Sequence, residues 1–120
     1  MERKEKSLFA ALRNLGVDID GTLSRFVDNT EYYEKFLRRY PTDGLMDPIL
    51  KAFENKETET LLNVLHKMKG TSVNLGINNI SDQCKDIASV IRSGEGIDVA
   101  PLIDKLKADY DEICDTIAKN

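Results

Sequence analysis

Apolar residues recur three and four positions apart along almost the whole chain, and no segment sustains period-two alternation. That is the pattern of amphipathic helices rather than strands. Leu8, Leu12 and Leu15 mark a short first helix closed by Gly16. Asp18 to Phe26 reads as a short second turn of helix. Asn29 or Thr30 can cap a third, with Tyr33, Phe36, Leu37 and Tyr40 on one face. Pro41-Thr42-Asp43-Gly44 is a turn signal. After it, Leu45, Ile49 and Phe53 predict a further short helix with Pro48 in its first turn.

The longest pattern runs from Thr58 to Leu75, with Leu61, Leu65, Met68, Ser72 and Leu75 along one stripe and Gly76 closing it. Asn78, Asn79 or Ser81 can cap the next helix, which turns Ile80, Cys84, Ile87 and Ile91 inward. Gly94-Glu95-Gly96 makes the following turn. Asp98 can cap the last helix, with Pro101 in its first turn and Val99, Leu102, Leu106, Tyr110, Ile113 and Ile117 facing the core. Short loops between the last three helices make neighbours antiparallel. The expectation is one all-α domain, an antiparallel up-and-down four-helix bundle with additional short N-terminal helices. Residues 1–17 read as an N-terminal extension and 18–118 as the bundle core.

Composition narrows the class without changing the architecture. A chain of 120 residues, 41% hydrophobic and 32% charged, can bury a core without disulfides or metal and is not disordered in composition. The formal charge of −4, with no basic cluster, argues against a broad cationic face for nucleic acid. No apolar stretch approaches the ~20 residues that span a bilayer. The mixed-charge start Met1–Lys6 lacks a signal-peptide core, so the expected location is cytoplasmic, and an initiating Met with a charged start suits a free-standing module. Cys84 and Cys114 match no metal or CxxC spacing and read as reduced core residues. Asp18 and Asp20 read as loop and cap rather than a metal site, and Asp109, Asp111, Glu112 and Asp115 as a solvated helix face. No metal or cofactor is expected.

There is one histidine, which excludes a multi-histidine metal centre and directs attention to His66. At 100° per residue His66 points about 140° away from the apolar stripe of its helix, toward water or a partner. Gly70, one turn on, costs roughly 1 kcal/mol relative to alanine in a helix and leaves space beside the imidazole. Lys69, three residues on, can reach an anion on the ring, whereas Lys67 is angularly further away and reads as solvated. Glu59 and Asn63 flank the strip on one side, and Val73 lies on it C-terminally. An accessible neutral imidazole is a nucleophile toward phosphorus and titrates near physiological pH. A nearby ammonium offsets part of a phosphoryl group's charge. The bland readings are a surface histidine, a solvated lysine and a glycine that permits helix–helix approach. The joint occurrence of Lys69, Gly70 and Leu75-Gly76 after His66 favours a phosphoryl carrier. Val73 and an outward-facing Phe9 are candidates for a partner-docking patch.

The run His66-x-Met68-Lys69-Gly70-Thr71, followed by Leu75-Gly76, resembles the motif of histidine-containing phosphotransfer (HPt) domains of two-component phosphorelays. The segment Asp20–Phe26, the helix with Tyr33-x-x-Phe36-Leu37 and the downstream helical hairpin are similar to that family's layout, so the likeness covers residues 18–118. Met68 stands where the family usually has Leu, and Thr71 where Ser or Ala is commoner. The resemblance implies that His66 is the phosphoacceptor through Nε2, Lys69 the compensating cation and Gly70 the steric clearance, with Thr71 in the small-residue position. Gly70, Thr71, Val73, Asn63 and Glu59 would meet the partner. The partners implied are response-regulator receiver domains, which supply Mg²⁺, and a hybrid sensor histidine kinase. Neither nucleic acid nor membrane is expected as a partner, and the chain itself is expected to be a monomer and not an enzyme. Two alternatives stand beside this reading: a helical interaction module that binds a signalling partner without phosphotransfer, and the phosphoacceptor domain of a larger sensor or chemotaxis-type kinase. No glycine-rich nucleotide loop is present for autophosphorylation from ATP.

Overall fold

Side-chain caps and left-handed glycines punctuate the helices. In the computed structural model, which describes residues 6–120, α1 (Ser7–Asn14) ends just before Gly16 at φ +86°. The mixed-charge start and the first residues of the expected extension, positions 1–5, lie outside the described residues. Asp18 accepts the Gly21 N–H at 3.0 Å and starts α2 (Ile19–Arg25). Asn29 accepts the Tyr32 N–H at 3.0 Å and starts α3 (Thr30–Arg39). The Pro41 turn is a single stretch of 3-10 helix, Tyr40–Asp43, ended by Gly44 at φ +64°. Then come α4 (Met46–Glu54), α5 (Thr58–Asn74), α6 (Asn78–Ser93) and α7 (Ala100–Lys119). There is no strand among the described residues.

The helices form the expected all-α bundle. Helix α5 packs between α4 and α6, α6 packs on α7, and α7 is covered by α1, α3 and the 3-10 turn. Leu12, Leu37, Ile49, Leu65, Met68, Ile80, Ile87, Ile103 and Leu106 are all fully buried in one core. Leu8 and Leu12 of α1 are buried in that same core, so the N-terminal helix is packed into the bundle.

Several inward positions differ from the sequence reading. On α7 it is Ile103 that is buried, while Leu102 is 37% exposed. From Val99, a step of four to Ile103 and then three to Leu106 keeps the stripe on the helical repeat as well as three then four does, and packing chooses between them. Met46 and Ala52 join Ile49 inside α4, leaving Leu45 and Phe53 half-buried. Val64 widens the buried stripe of α5. Phe9 faces inward, 3% exposed, with its ring centroid 5.5 Å from that of Tyr33, so it is unavailable as a docking residue.

Helix α6 starts without a side-chain cap at Ile77. Asn79 instead donates across to Asp109 at 3.2 Å, and Ser81 Oγ donates to the Asn78 carbonyl at 3.2 Å. The buried Ile77, whose N–H reaches back to the Ser72 carbonyl at 2.9 Å around Gly76, anchors that turn from the α5 side. The N-cap of α7 is Val99, without a side-chain cap; Asp98, expected there, stands one residue earlier and accepts the Ala100 N–H at 3.0 Å.

The junction Leu75-Gly76 is where the N-terminal helices hold α5. The Asp18 N–H donates to the Gly76 carbonyl at 2.9 Å, the buried Tyr33 hydroxyl donates to the Leu75 carbonyl at 2.7 Å, and Arg25 donates to the Val73 carbonyl at 3.1 Å. The Leu75 carbonyl stands at the helix end, where no partner within the helix remains, whereas the Val73 carbonyl also accepts the Gly76 N–H at 3.2 Å. Burial pushes the Tyr33 phenol up to about 12, so it remains a donor throughout the neutral range. One turn back, the buried Tyr40 hydroxyl and Ser72 Oγ share a hydrogen bond of 2.7 Å.

Both cysteines are free. Burial pushes the Cys84 thiol up to about 12 and the half-buried Cys114 thiol up to about 11. Among the described residues no helix is long and apolar enough to cross a membrane.

Gly76 sits at φ +78°, and a Cβ there would lie 2.5 Å from the Asp18 carbonyl oxygen and closer still to Thr22 Oγ1. Gly76→Ala is therefore expected to cost about 2–4 kcal/mol in urea-unfolding experiments, from backbone strain and overpacking together. In a thiol titration with an aromatic disulfide reagent at neutral pH, both cysteines should react slowly in the native protein and fully once it is unfolded. Fast native reaction at Cys84 would contradict its burial.

Candidate functional site

The outer strip of α5 carries Glu59, Asn63, His66 and Val73, all exposed, with Gly70 half-exposed among them. His66 is thus on the face opposite Leu61, Leu65 and Met68, as the helical repeat requires. Nothing lies within 4 Å of the position a Gly70 Cβ would take. No neighbouring helix approaches there, so close helix–helix packing is not what this glycine serves. It leaves a bare stretch of backbone one turn from the imidazole.

His66 opens onto a depression of about 550 Å³. Lys67, Gly70 and Thr71 line it from α5, and Asp43 and Leu45 from the turn before α4. Thr71 is half-buried and its hydroxyl donates to the Lys67 carbonyl at 3.1 Å, so it is occupied within the helix. The cation in this lining is Lys67. Lys69, at about −60° from His66 around the helix axis, is half-buried on the other flank, while Lys67 and Thr71 lie at about +100° and +140°, toward Asp43. Lys67 is exposed, as the angular argument expects, and Asp43 and Leu45 of the turn before α4 lie on its side of the helix. A lysine thus stands on α5 on each side of His66, and Asp43 lies at the edge of the depression.

A second concavity of about 810 Å³ adjoins the first and shares Asp43 and Thr71 with it. Arg25 and Phe26 of the α2 end and Tyr32, Phe36 and Arg39 of α3 form its walls. Sequence reasoning missed this groove. Periodicity puts Phe36 on the core face, where it is only partly buried, and Tyr32 is 47% exposed. The available signal was the aromatic density of residues 26–36, which periodicity alone sorts into the core.

The acidic residues set aside earlier do not converge. Asp18 caps α2, and Asp20 pairs with Arg13 at 2.6 Å. Asp109 pairs with Lys105 at 2.6 Å and Asp111 with Lys107 at 2.5 Å. The Lys105 hydrogen bond, with those of Asn79 and Gln83, holds the Asp109 carboxyl below the usual range. Among the described residues no group of three or more His, Cys, Asp or Glu side chains could hold a metal ion.

The arrangement can present one nucleophilic nitrogen to an electrophile carried by another molecule, with room for that molecule to close over it. A family model described as Hpt domain matches residues 31–116, most of the chain. No curated protein and no solved structure matches it. Because Gly70 has open space, Gly70→Ala is expected to stabilise the fold by about 0.5–1 kcal/mol through helix propensity alone. Urea unfolding measures this, and a loss of stability would mean that the site is crowded.

Proposed function

The chain belongs to the Hpt domain family, whose members carry out histidine phosphotransfer in phosphorelays, and from that premise we propose that His66 is the residue that carries the phosphoryl group between receiver domains. The observation that supports this most directly is the placement of the single histidine on the outer strip of α5, beside the uncovered backbone of Gly70.

The neutral imidazole, with its proton on Nδ1, attacks the phosphorus of a receiver's aspartyl phosphate through Nε2. A P–N bond forms as the P–O bond to the carboxylate breaks, and the carboxylate leaves with the bonding pair. A second receiver reverses the step, its own aspartate taking the phosphoryl group and returning His66 to its neutral form. Mg²⁺ bound by the receiver offsets charge on the phosphoryl oxygens. From this chain, Lys69 on one side and Lys67 on the other supply cations to the phosphorylated ring. Gly70 and the small side chain of Thr71 keep the approach clear, and Glu59, Asn63 and Val73 meet the partner around the strip. Since the receiver brings the metal and the leaving group, the chain is a carrier rather than an enzyme acting alone. It works as a monomer, in the cytoplasm where receivers reside.

Incubating the protein with a phosphorylated receiver and Mg²⁺ should move label onto an acid-labile, base-stable adduct, and His66→Gln should abolish it. Label retained by His66→Gln would sink the assignment. Gly70→Leu should slow transfer roughly tenfold or more, because it displaces the reacting atoms, while leaving helix content by circular dichroism unchanged or higher. Receiver binding with no phosphoryl exchange would favour the interaction-module reading instead.

A further inference from the structure

Asp43 is the one acidic residue in the lining of the His66 depression. Its side chain is exposed, and among the described residues no hydrogen bond or ion pair engages its carboxylate. Other acids of the chain serve the fold: Asp18 caps a helix, and Glu34 and Asp109 pair with cations. Asp43 does neither, so its charge stands unneutralised on the rim that faces His66. The turn that carries it is pinned to the helix that bears the histidine. The buried Tyr40 hydroxyl, three residues before Asp43, shares its 2.7 Å hydrogen bond with Ser72 of α5. Thr42 Oγ1 donates to the Arg39 carbonyl at 2.6 Å, and Gly44 at φ +64° ends the stretch.

Phosphorylation of His66 brings nearly two negative charges to this depression, and a carboxylate beside them acts on them by like-charge repulsion. The depression's volume of about 550 Å³ equals that of a sphere roughly 10 Å across, close to the Debye length of about 10 Å at 0.1 M salt. Charges on its rim are therefore incompletely screened from a phosphoryl group inside it. At that range, even in water, a unit charge moves an equilibrium that creates a dianion several-fold. Lys67 and Lys69 lower the free energy of the phosphorylated state, and Asp43 raises it. Cations alone would make the phosphorylated chain a trap. A carrier must give the group back, because the bond made at Nε2 with one receiver is broken with the next.

We infer that Asp43 is an electrostatic counterweight that sets the phosphoryl-transfer potential of His66. Its repulsion opposes Lys67 and Lys69 and biases the exchange toward the receiver. In that direction the P–N bond at Nε2 breaks and its bonding pair stays on Nε2, while a P–O bond forms to the receiver's aspartate. The inference rests on the carrier reading above and adds to it the residue that tunes the direction of flow. It concerns the free chain in its two states, and so differs from any contact of Asp43 with the receiver. A contact made only in the complex changes forward and reverse rates together and leaves the equilibrium constant where it was.

The test measures the equilibrium constant of phosphoryl exchange with a purified receiver of the source organism that exchanges label with the wild-type chain, in Mg²⁺ at low salt. The variants are Asp43→Asn, Asp43→Glu and Asp47→Asn. Asp47 is an exposed acid four residues on that lines a different recess, with Lys107 and Asp111. Asp43→Asn should shift the constant toward the phosphorylated chain by roughly three- to tenfold, and about 1 M salt should erase most of that difference. Asp43→Glu and Asp47→Asn should match wild type. A wild-type constant in Asp43→Asn would overturn the inference. So would an equal shift in Asp43→Glu or Asp47→Asn, or a shift that persists at high salt. Altered rates with an unchanged constant would make Asp43 a receiver contact instead, overturning the inference while leaving the carrier reading intact. If no receiver exchanges label with wild-type His66, the carrier reading fails and the inference fails with it.

Discussion

The unsatisfied carbonyls at the C-terminal end of α5 are the constraint around which the site is built. A helix that ends in the interior must find donors for them, and a buried carbonyl left without one costs about 1–3 kcal/mol. Tyr33 supplies that donor at the buried Leu75, and the Asp18 N–H binds the Gly76 carbonyl just past the helix. Arg25 adds a second hydrogen bond to the exposed Val73 carbonyl, which also accepts the Gly76 N–H. Because these donors come from α2, α3 and the loop before α2, satisfying α5 also docks those elements beside the strip that carries His66. The aromatic groove is a consequence of that docking: Arg25 and Phe26 stand next to Asn74 and Leu75 because Arg25 is bound to the Val73 carbonyl.

Two glycines of one short motif serve opposite physical ends. Gly76 has a positive φ, and its missing side chain is replaced by Thr22 and the Asp18 backbone, so it exists for close approach inside the protein. Gly70 is ordinary helix with open space around it, so its lack of a side chain matters only to something outside the protein. A helix interior disfavours glycine, and the fold itself obtains nothing at position 70 to offset that cost. Local stability and an approachable imidazole are in conflict there, and the sequence takes the second.

Much of this was readable before any coordinates. Leu61, Leu65, Met68 and Leu75 define a stripe narrow enough that His66 can only point away from it, since one helical repeat fixes the angle between residues five or fewer apart. Asp18 and Asn29 were legible for a similar reason, because capping is a contact between residues three positions apart. Errors gathered where one local pattern allows two registers or two faces. Leu102 and Ile103 fit α7 equally well until α7 meets its neighbours, and Phe9 could not be seen to meet Tyr33 from the pattern of α1 alone.

The sequence by itself determined an all-α chain, the helix that bears the histidine and the outward direction of that histidine, because all three follow from the short-range geometry of a helix. Only the tertiary structure decided which flank of His66 is walled in. Asp43 and Leu45 lie more than a dozen residues before Leu61, and the turn that carries them comes to Lys67 and Thr71 only through the packing of α4 on α5. The groove depends in the same way on segments distant in sequence, since Arg25 reaches Val73 across 48 positions. Contacts of that range leave no periodic trace in the sequence, since each partner's local pattern is satisfied whether or not the other is present.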